Sequence, residues 1–242
     1  MSTTTWGLSM QYQAIGKILS EFPEKFGVPK QPGLAPSLRA ILRLEGPWGH
    51  ETLARGLEDC SHLWVLFDFH LSGPFRGGTV RPPILGGEKR MGVFATRSPH
   101  RPNSIGLSLV KREKIEFKDG AINIHVSGHD FVNETPILDI KPYVASYDRP
   151  SGEVSHWSDK ILTKALAVMW SPSSELQLRQ LASEHLRDPI EQVLALDPRP
   201  RQANPESVFG LSFCDLNITF SSQGEGLCVQ AVEKADSLHR VK

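Results

Sequence analysis

Cysteine is scarce. Cys60, Cys214 and Cys228 lie far apart in 242 residues and never pair as CxxC. That pattern supports neither a disulfide framework nor a zinc ribbon. No HExxH and no tight His/Cys cluster supplies metal-ligand spacing, so no metal is expected. GxGxxG and the P-loop pattern GxxxxGKS/T are missing, which removes the Rossmann and P-loop phosphate cradles. A GxSxG nucleophile elbow is missing too. Long apolar runs are absent: Leu63-Trp-Val-Leu-Phe67 is far too short to cross a bilayer. The opening Met1-Ser-Thr-Thr-Thr has neither the basic start nor the apolar stretch of a signal peptide. A soluble, cytoplasmic protein with no membrane segment is expected.

Excess charge of either sign is missing as well, because 27 Lys and Arg balance 27 Asp and Glu. This argues against a polycation that coats nucleic acid or membrane along its whole surface. The charge is uneven, however. Residues 71–114 hold nine basic residues: Arg76, Arg81, Lys89, Arg90, Arg97, Arg101, Lys111, Arg112 and Lys114. Only Glu88 and Glu113 oppose them, so this window is +7 and the remainder −7. Such a stretch is either a solvated basic surface or a localised anion-binding face.

The chain has ample material for a core, with 39% hydrophobic residues, and it is rich in turn formers, with 20 Gly and 18 Pro. Many turns and short strands are therefore expected. Tyr12–Leu19 and Leu38–Leu44 are short apolar stretches bounded by Pro and Gly. His62–Phe69 is a near-continuous apolar run, the pattern of a strand buried on both faces. Ile105, Leu107 and Leu109 alternate, as do Ile122, Ile124 and Val126, and Asp119-Gly120 between them suits a tight hairpin turn. No long amphipathic helix interrupts these strands, which predicts an antiparallel β-barrel of non-Rossmann type over residues 10–150. Asp148-Arg-Pro-Ser-Gly152 reads as a linker. A small α+β unit is expected over 151–242. It has a strand at Leu166–Trp170, and a helix capped by Ser171-Pro172. A second cap at Asp188-Pro189 with Glu191 is followed by a final hairpin around Gly224-Glu-Gly226.

The segment with most chemical character is GVFATRSPHRPNSIGLSLV (92–110). A strand enters a proline-stiffened polar loop and leaves as another strand. Ser98 and Asn103 on such a loop could simply satisfy backbone groups. Two arginines and a histidine (Arg97, Arg101, His100) fit a preformed site better, because a stiff loop loses less entropy on binding. Pro29-Lys-Gln-Pro-Gly33 is a second stiff loop. Ser127-Gly-His-Asp130 ends a strand, and its glycine permits close backbone approach to a ligand. His62 and His70 read as core histidines.

These motifs, with EKFGVPKQPG, CSHLWVLFDFH, VRPPILGG, TPILDIKPY and LALDPRP, resemble the TsaA-like (TrmO) family of tRNA methyltransferases over nearly the whole chain. The resemblance implies a non-Rossmann β-barrel with a small C-terminal α+β domain, acting as a homodimer. It implies transfer of a methyl group from S-adenosyl-L-methionine to the N6 amine of N6-threonylcarbamoyladenosine, next to the anticodon of threonine-decoding tRNAs. The methyl donor would lie against Pro29, Lys30 and Gln31, His70 and Leu71, Arg97, Leu107, and Ser127, Gly128, His129 and Asp130. Lys89, Arg90, Arg101, Asn103 and Arg199 would meet the RNA. Arg97 and Arg101 suit a carboxylate of either substrate. His100 is a candidate proton acceptor, with a structural or RNA-contact role equally open. Three positions depart from the family pattern: Ser104 stands for Pro, Asn133-Glu134 for Asp-Gly, and Arg201 for an aromatic. A non-catalytic RNA-binding barrel and a hydrolase built on His100 are the rival readings.

Overall fold

A computed structural model describes residues 10–85, 87, 89–159, 165–200, 202–204 and 206–235; Gly86, Glu88 and Arg201 lie outside them. Six strands close into an antiparallel barrel: β1 (Gly16–Leu19), β2 (Arg39–Leu44), β3 (His62–Asp68), β6 (Ile105–Lys118), β7 (Ala121–Ser127) and β8 (Thr135–Pro142). Their order around the barrel is β1-β2-β7-β6-β3-β8. Closure leaves no unpaired edge. A two-stranded ribbon, β4 (Thr79–Val80) and β5 (Met91–Gly92), interrupts the run between β3 and β6. Asp119 and Gly120, at φ 53° and 70°, make the expected tight turn between β6 and β7.

Period-two side chains build the first core. Leu42, Leu63, Val65, Phe67, Ile122, Ile124 and Val126 face inward with Ile18, Phe131 and Ile137. Full burial of each such side chain is worth roughly 1.5–3 kcal/mol. Two expectations are corrected here. β3 is not buried on both faces: Leu63, Val65 and Phe67 are buried, while His62, Trp64 and Leu66 are only half-covered. In β6 the alternation is present but inverted. Gly106, Ser108 and Val110 face the interior, and Ile105 and Leu107 face outward. An ideal Cβ on Gly106 would lie 2.2 Å from the Phe67 ring, so the ring fills the space that a side chain here would occupy.

The remaining elements are α1 (Ala145–Asp148), β9 (Val168–Trp170), α2 (Pro172–Gln180), α3 (Arg187–Ala195), β10 (Val208–Phe213), β11 (Leu216–Gln223) and β12 (Gly226–Lys234). The last three strands and β9 form a sheet in the order β10-β11-β12-β9, with β9 parallel to β12. Ser171 caps α2 by accepting from the Ser174 N–H at 3.1 Å, with Pro172 following. Asp188 does not cap α3, which starts at Arg187. Its carboxylate instead accepts hydrogen bonds from Ser37 and Gln192. The alternation in β12 breaks at a bulge, so Val232 rather than Ala231 joins the core. β10 carries no turn signal strong enough to announce it. Phe22, Ala35 and Leu38, from the segment between β1 and β2, belong to the core under this second sheet, with Phe213, Phe220 and Leu227. No helix among the described residues is long and apolar enough to cross a membrane.

Candidate functional site

The loop Pro29–Gly33 is pinned to the end of β7 through the backbone. Gly33 N–H donates to the Gly128 carbonyl at 2.7 Å, and Gly128 N–H donates to the Leu38 carbonyl at 3.1 Å. Gly128 sits at φ 68°, a left-handed conformation that favours glycine. Pro29 is buried, Gln31 half-buried and Lys30 exposed. From the opposite side, Arg97 Nη1 donates to Gln31 Oε1 at 2.7 Å. Two loops 66 residues apart are thus joined. Beneath the joint lies an open cleft of about 500 Å³, lined by Pro32, Gly33, Arg97, Ser127 and Gly128 and, further along, by His62, Trp64, Leu109 and Lys111. A second depression of about 440 Å³, around Gly49–Thr52 and Phe117–Ala121, touches none of the expected site residues.

The strand end Ser127–Asp130 is held from below. Ser127 Oγ donates to Glu113 Oε1 at 2.6 Å. His129 is 0% exposed. Its Nδ1 accepts from the Phe131 N–H at 3.1 Å, so the ring proton is on Nε2, which donates to Glu21 Oε2 at 2.7 Å. The His129 ring is therefore spent inside the fold, and only its backbone can meet a ligand. Asp130 accepts from the buried Ser108 hydroxyl at 2.6 Å. Burial pushes the Asp130 carboxyl above its usual range, against the Ser108 hydrogen bond and the opposing influence of His129 and Arg97.

The loop between β5 and β6 is braced by its own side chains. Arg101 Nη1 donates to the Thr96 and Ser98 carbonyls at 3.1 and 3.2 Å, and Ser98 Oγ accepts from the His100 N–H at 3.2 Å. Arg101 thus shapes the loop, while His100 and Asn103 are exposed on it. Ser104, where the family pattern has Pro, bonds Asp68 at the end of β3, replacing ring stiffness with a tether. Leu107 is 50% exposed on the outer barrel face. Leu71 is 44% exposed, and its carbonyl accepts from Lys25 Nζ at 3.1 Å; neither it nor His70 lines the cleft. Lys89 and Arg90 are exposed near the β4–β5 ribbon. Arg199 is committed elsewhere: two of its nitrogens grip Asp197 at 2.7 and 3.0 Å, and a third donates to Ser222 at 2.5 Å. That fork holds the Asp197 carboxyl below its usual range, and the Lys30 charge adds to the effect.

Sequence reasoning missed His62, Trp64, Leu109 and Lys111 as cleft residues. A usable signal existed: period-two spacing sets His62 and Trp64 on the face opposite Leu63 and Val65, and the polar His62 marks that face as the less buried one. It also missed Glu21, which nothing local distinguishes. At Asn133-Glu134 the missing glycine has a visible cost, because Glu134 takes its place at φ 62°.

Comparison with known proteins follows the same outline. The family model for the tRNA-methyltransferase O N-terminal domain matches residues 17–149, and that for the TrmO C-terminal domain matches residues 163–235. An Escherichia coli (strain K12) protein named tRNA (adenine(37)-N6)-methyltransferase is 38% identical over 232 residues, which is 93% of this chain and 98% of that one. A Pseudomonas aeruginosa protein with an inferred name, S-adenosylmethionine-dependent methyltransferase RcsF, is 43% identical over 214 residues, covering 84% and 89% of the two chains. The crystal structure of TrmO from Pseudomonas aeruginosa matches with a TM-score of 0.76 at 34% identity, over 93% of this chain and all of that one. The two family models together span most of the sequence, and the chain belongs to the tRNA-methyltransferase O family.

Proposed function

We propose that this protein transfers a methyl group from S-adenosyl-L-methionine to the N6 amine of adenine 37 in tRNA. The acceptor is N6-threonylcarbamoyladenosine in threonine-decoding tRNAs. The observation that carries this reading is that Arg97, held by Gln31, lines the same cleft as Gly33, Ser127 and Gly128. It supplies what a zwitterionic, sulfonium-bearing methyl donor requires. Arg97 offers a guanidinium for a carboxylate. The Gly33–Gly128 backbone, with no side chain to interpose, lets a ligand approach closely. Asp130 offers a carboxylate for cationic or hydroxyl groups.

When bound, S-adenosyl-L-methionine supplies a methyl group on a positively charged sulfur, ready for in-line displacement. The protein's share is positioning, which in favourable cases is worth roughly 7–11 kcal/mol. Arg97, stiffened by Gln31, would hold the carboxylate of the methyl donor, and Gly128 to Asp130 would bind it through backbone and carboxylate. The acceptor nitrogen gains a methyl group and loses a proton, which Asp130 or the exposed His100 can receive. The target base lies in an RNA loop, where unstacking costs less than in a duplex. Outward-facing Ile105 and Leu107 support a homodimer, and three free thiols support a reducing, cytoplasmic compartment.

The test is calorimetric titration with S-adenosyl-L-methionine, paired with methylation of tRNA bearing either plain or threonylcarbamoylated adenosine 37. Arg97→Ala is expected to weaken methyl-donor binding at least tenfold and to cut methylation with it. Unchanged affinity in that variant rejects the site. Failure of the wild type to bind S-adenosyl-L-methionine leaves only an RNA-binding barrel.

A further inference from the structure

We infer that the aromatic wall formed by His62 and Trp64, which line the cleft with Tyr143 packed against both rings, seats the acceptor base: an unstacked adenine of the RNA loop lies against the Trp64 indole. This rests on the methyltransferase reading and names where its second substrate goes. The wall is built by strand register. His62 and Lys111 are cross-strand partners, and Lys111 is in turn opposite Ser127. One row therefore runs from the strand end beside the proposed methyl-donor site to His62. In the next row Trp64 lies between Leu109 on β6 and Lys141 on β8. Tyr143 is fastened beside them by its N–H to the His62 carbonyl at 2.9 Å. Its ring meets Trp64 at 6.1 Å with a 58° tilt and His62 at 6.5 Å with a 68° tilt, so it abuts both rather than stacking flat on either.

Three features favour an RNA base as occupant. Trp64 is a large ring on the outer face of a barrel strand, and it is left half-covered in a cleft of ligand size. Arg97 and Lys111 line the same cleft, Lys111 while paired with Glu113 at 3.1 Å, so cationic side chains that an RNA phosphate can engage border the wall. The wall also shares its cleft with Arg97, Ser127 and Gly128, and a methyltransferase must bring two substrates within bonding reach in one cavity.

The test uses the full-length protein, S-adenosyl-L-methionine and a synthetic anticodon stem-loop. One version of the RNA carries N6-threonylcarbamoyladenosine at position 37, and another carries fluorescent 2-aminopurine there. Wild type is expected to quench the 2-aminopurine. Trp64→Ala should abolish the quench and raise KM for the stem-loop about fivefold or more, with Trp64→Phe between the two. The Kd for S-adenosyl-L-methionine should stay within twofold in both variants. Trp64→Phe, which keeps an aromatic of the strand type, guards against simple misfolding. Three results overturn the inference: an undiminished quench and KM in Trp64→Ala, a loss of methyl-donor affinity equal to the loss for RNA, or a change in subunit number with RNA binding intact. Wild type that quenches the probe yet methylates nothing rejects the methyltransferase reading and leaves the base seat standing.

Discussion

Glu21 shows how much a single carboxylate can organise. One oxygen accepts from the Arg39 N–H at 2.6 Å and the other from His129 at 2.7 Å, while the Glu21 carbonyl accepts from Cys214 N–H at 2.6 Å. Both side-chain oxygens must be acceptors, which an amide cannot match. Glu21→Gln is expected to cost about 1–3 kcal/mol in urea unfolding, because one buried partner loses its bond. The nitrogen shifts of His129 should report a rearranged ring proton, and retention of the wild-type pattern would show that the pair is idle. Asp130 is the opposite case. Its carboxyl takes up protons more readily folded than unfolded, so it weakens the fold at neutral pH, and the penalty fades as pH falls through the raised folded value toward the ordinary carboxylate range. Asp130→Asn keeps an acceptor for Ser108. It should melt higher than wild type at pH 7–8, with the gap closing in acid, and should bind the methyl donor less well. A constant gap at every pH would mean that the carboxyl is not the cause.

At the scale of elements, what could be read in advance and what could not both follow from volume. The β7 strand was legible because Ile122, Ile124 and Val126 are large, apolar and two apart, and they do fill the barrel. The α2 start was legible because Ser171 and Pro172 act locally. β6 misled, because Ile105 and Leu107 face out while Gly106 and Ser108 face in. The interior at Gly106 is already taken by the Phe67 ring from β3. No pattern within β6 records the bulk of a side chain on another strand. Gly106→Ala should therefore destabilise by about 1–3 kcal/mol as the ring is displaced, measured by chemical unfolding. A neutral result would mean that Phe67 swings aside freely. The site loops were legible through their prolines and arginines, but the division of labour was not. Arg97 reaches across to Gln31, whereas Arg101, four residues on, turns back to its own loop. Spacing alone cannot separate a reaching guanidinium from a bracing one.

At the scale of the molecule, the basic stretch divides by engagement. Lys111 and Lys114 pair with Glu113 and Glu116, and Arg112 donates to the Cys60 and Glu58 carbonyls. Arg76, Arg81, Lys89 and Arg90 remain exposed around the β4–β5 ribbon, on one continuous segment before the site loop, with Arg90 also donating to Thr79 Oγ1 at 2.9 Å. On the proposed function, that segment is the expected contact for an RNA backbone. Lys89→Ala with Arg90→Ala should raise KM for tRNA, flatten its dependence on log salt by about one for each phosphate no longer neutralised, and spare methyl-donor affinity. An equal fall in both affinities would place the RNA on another face.

The stretch between β1 and β2 gives Phe22, Ala35 and Leu38 to the interior beneath the C-terminal sheet, while its middle forms the arch from Pro29 to Gly33. A chain cut after residue 150 would leave those three side chains facing water and slacken the arch between them. The smaller C-terminal unit therefore sets how firmly the Pro29–Gly33 arch is held, even though the arch itself belongs to the barrel half.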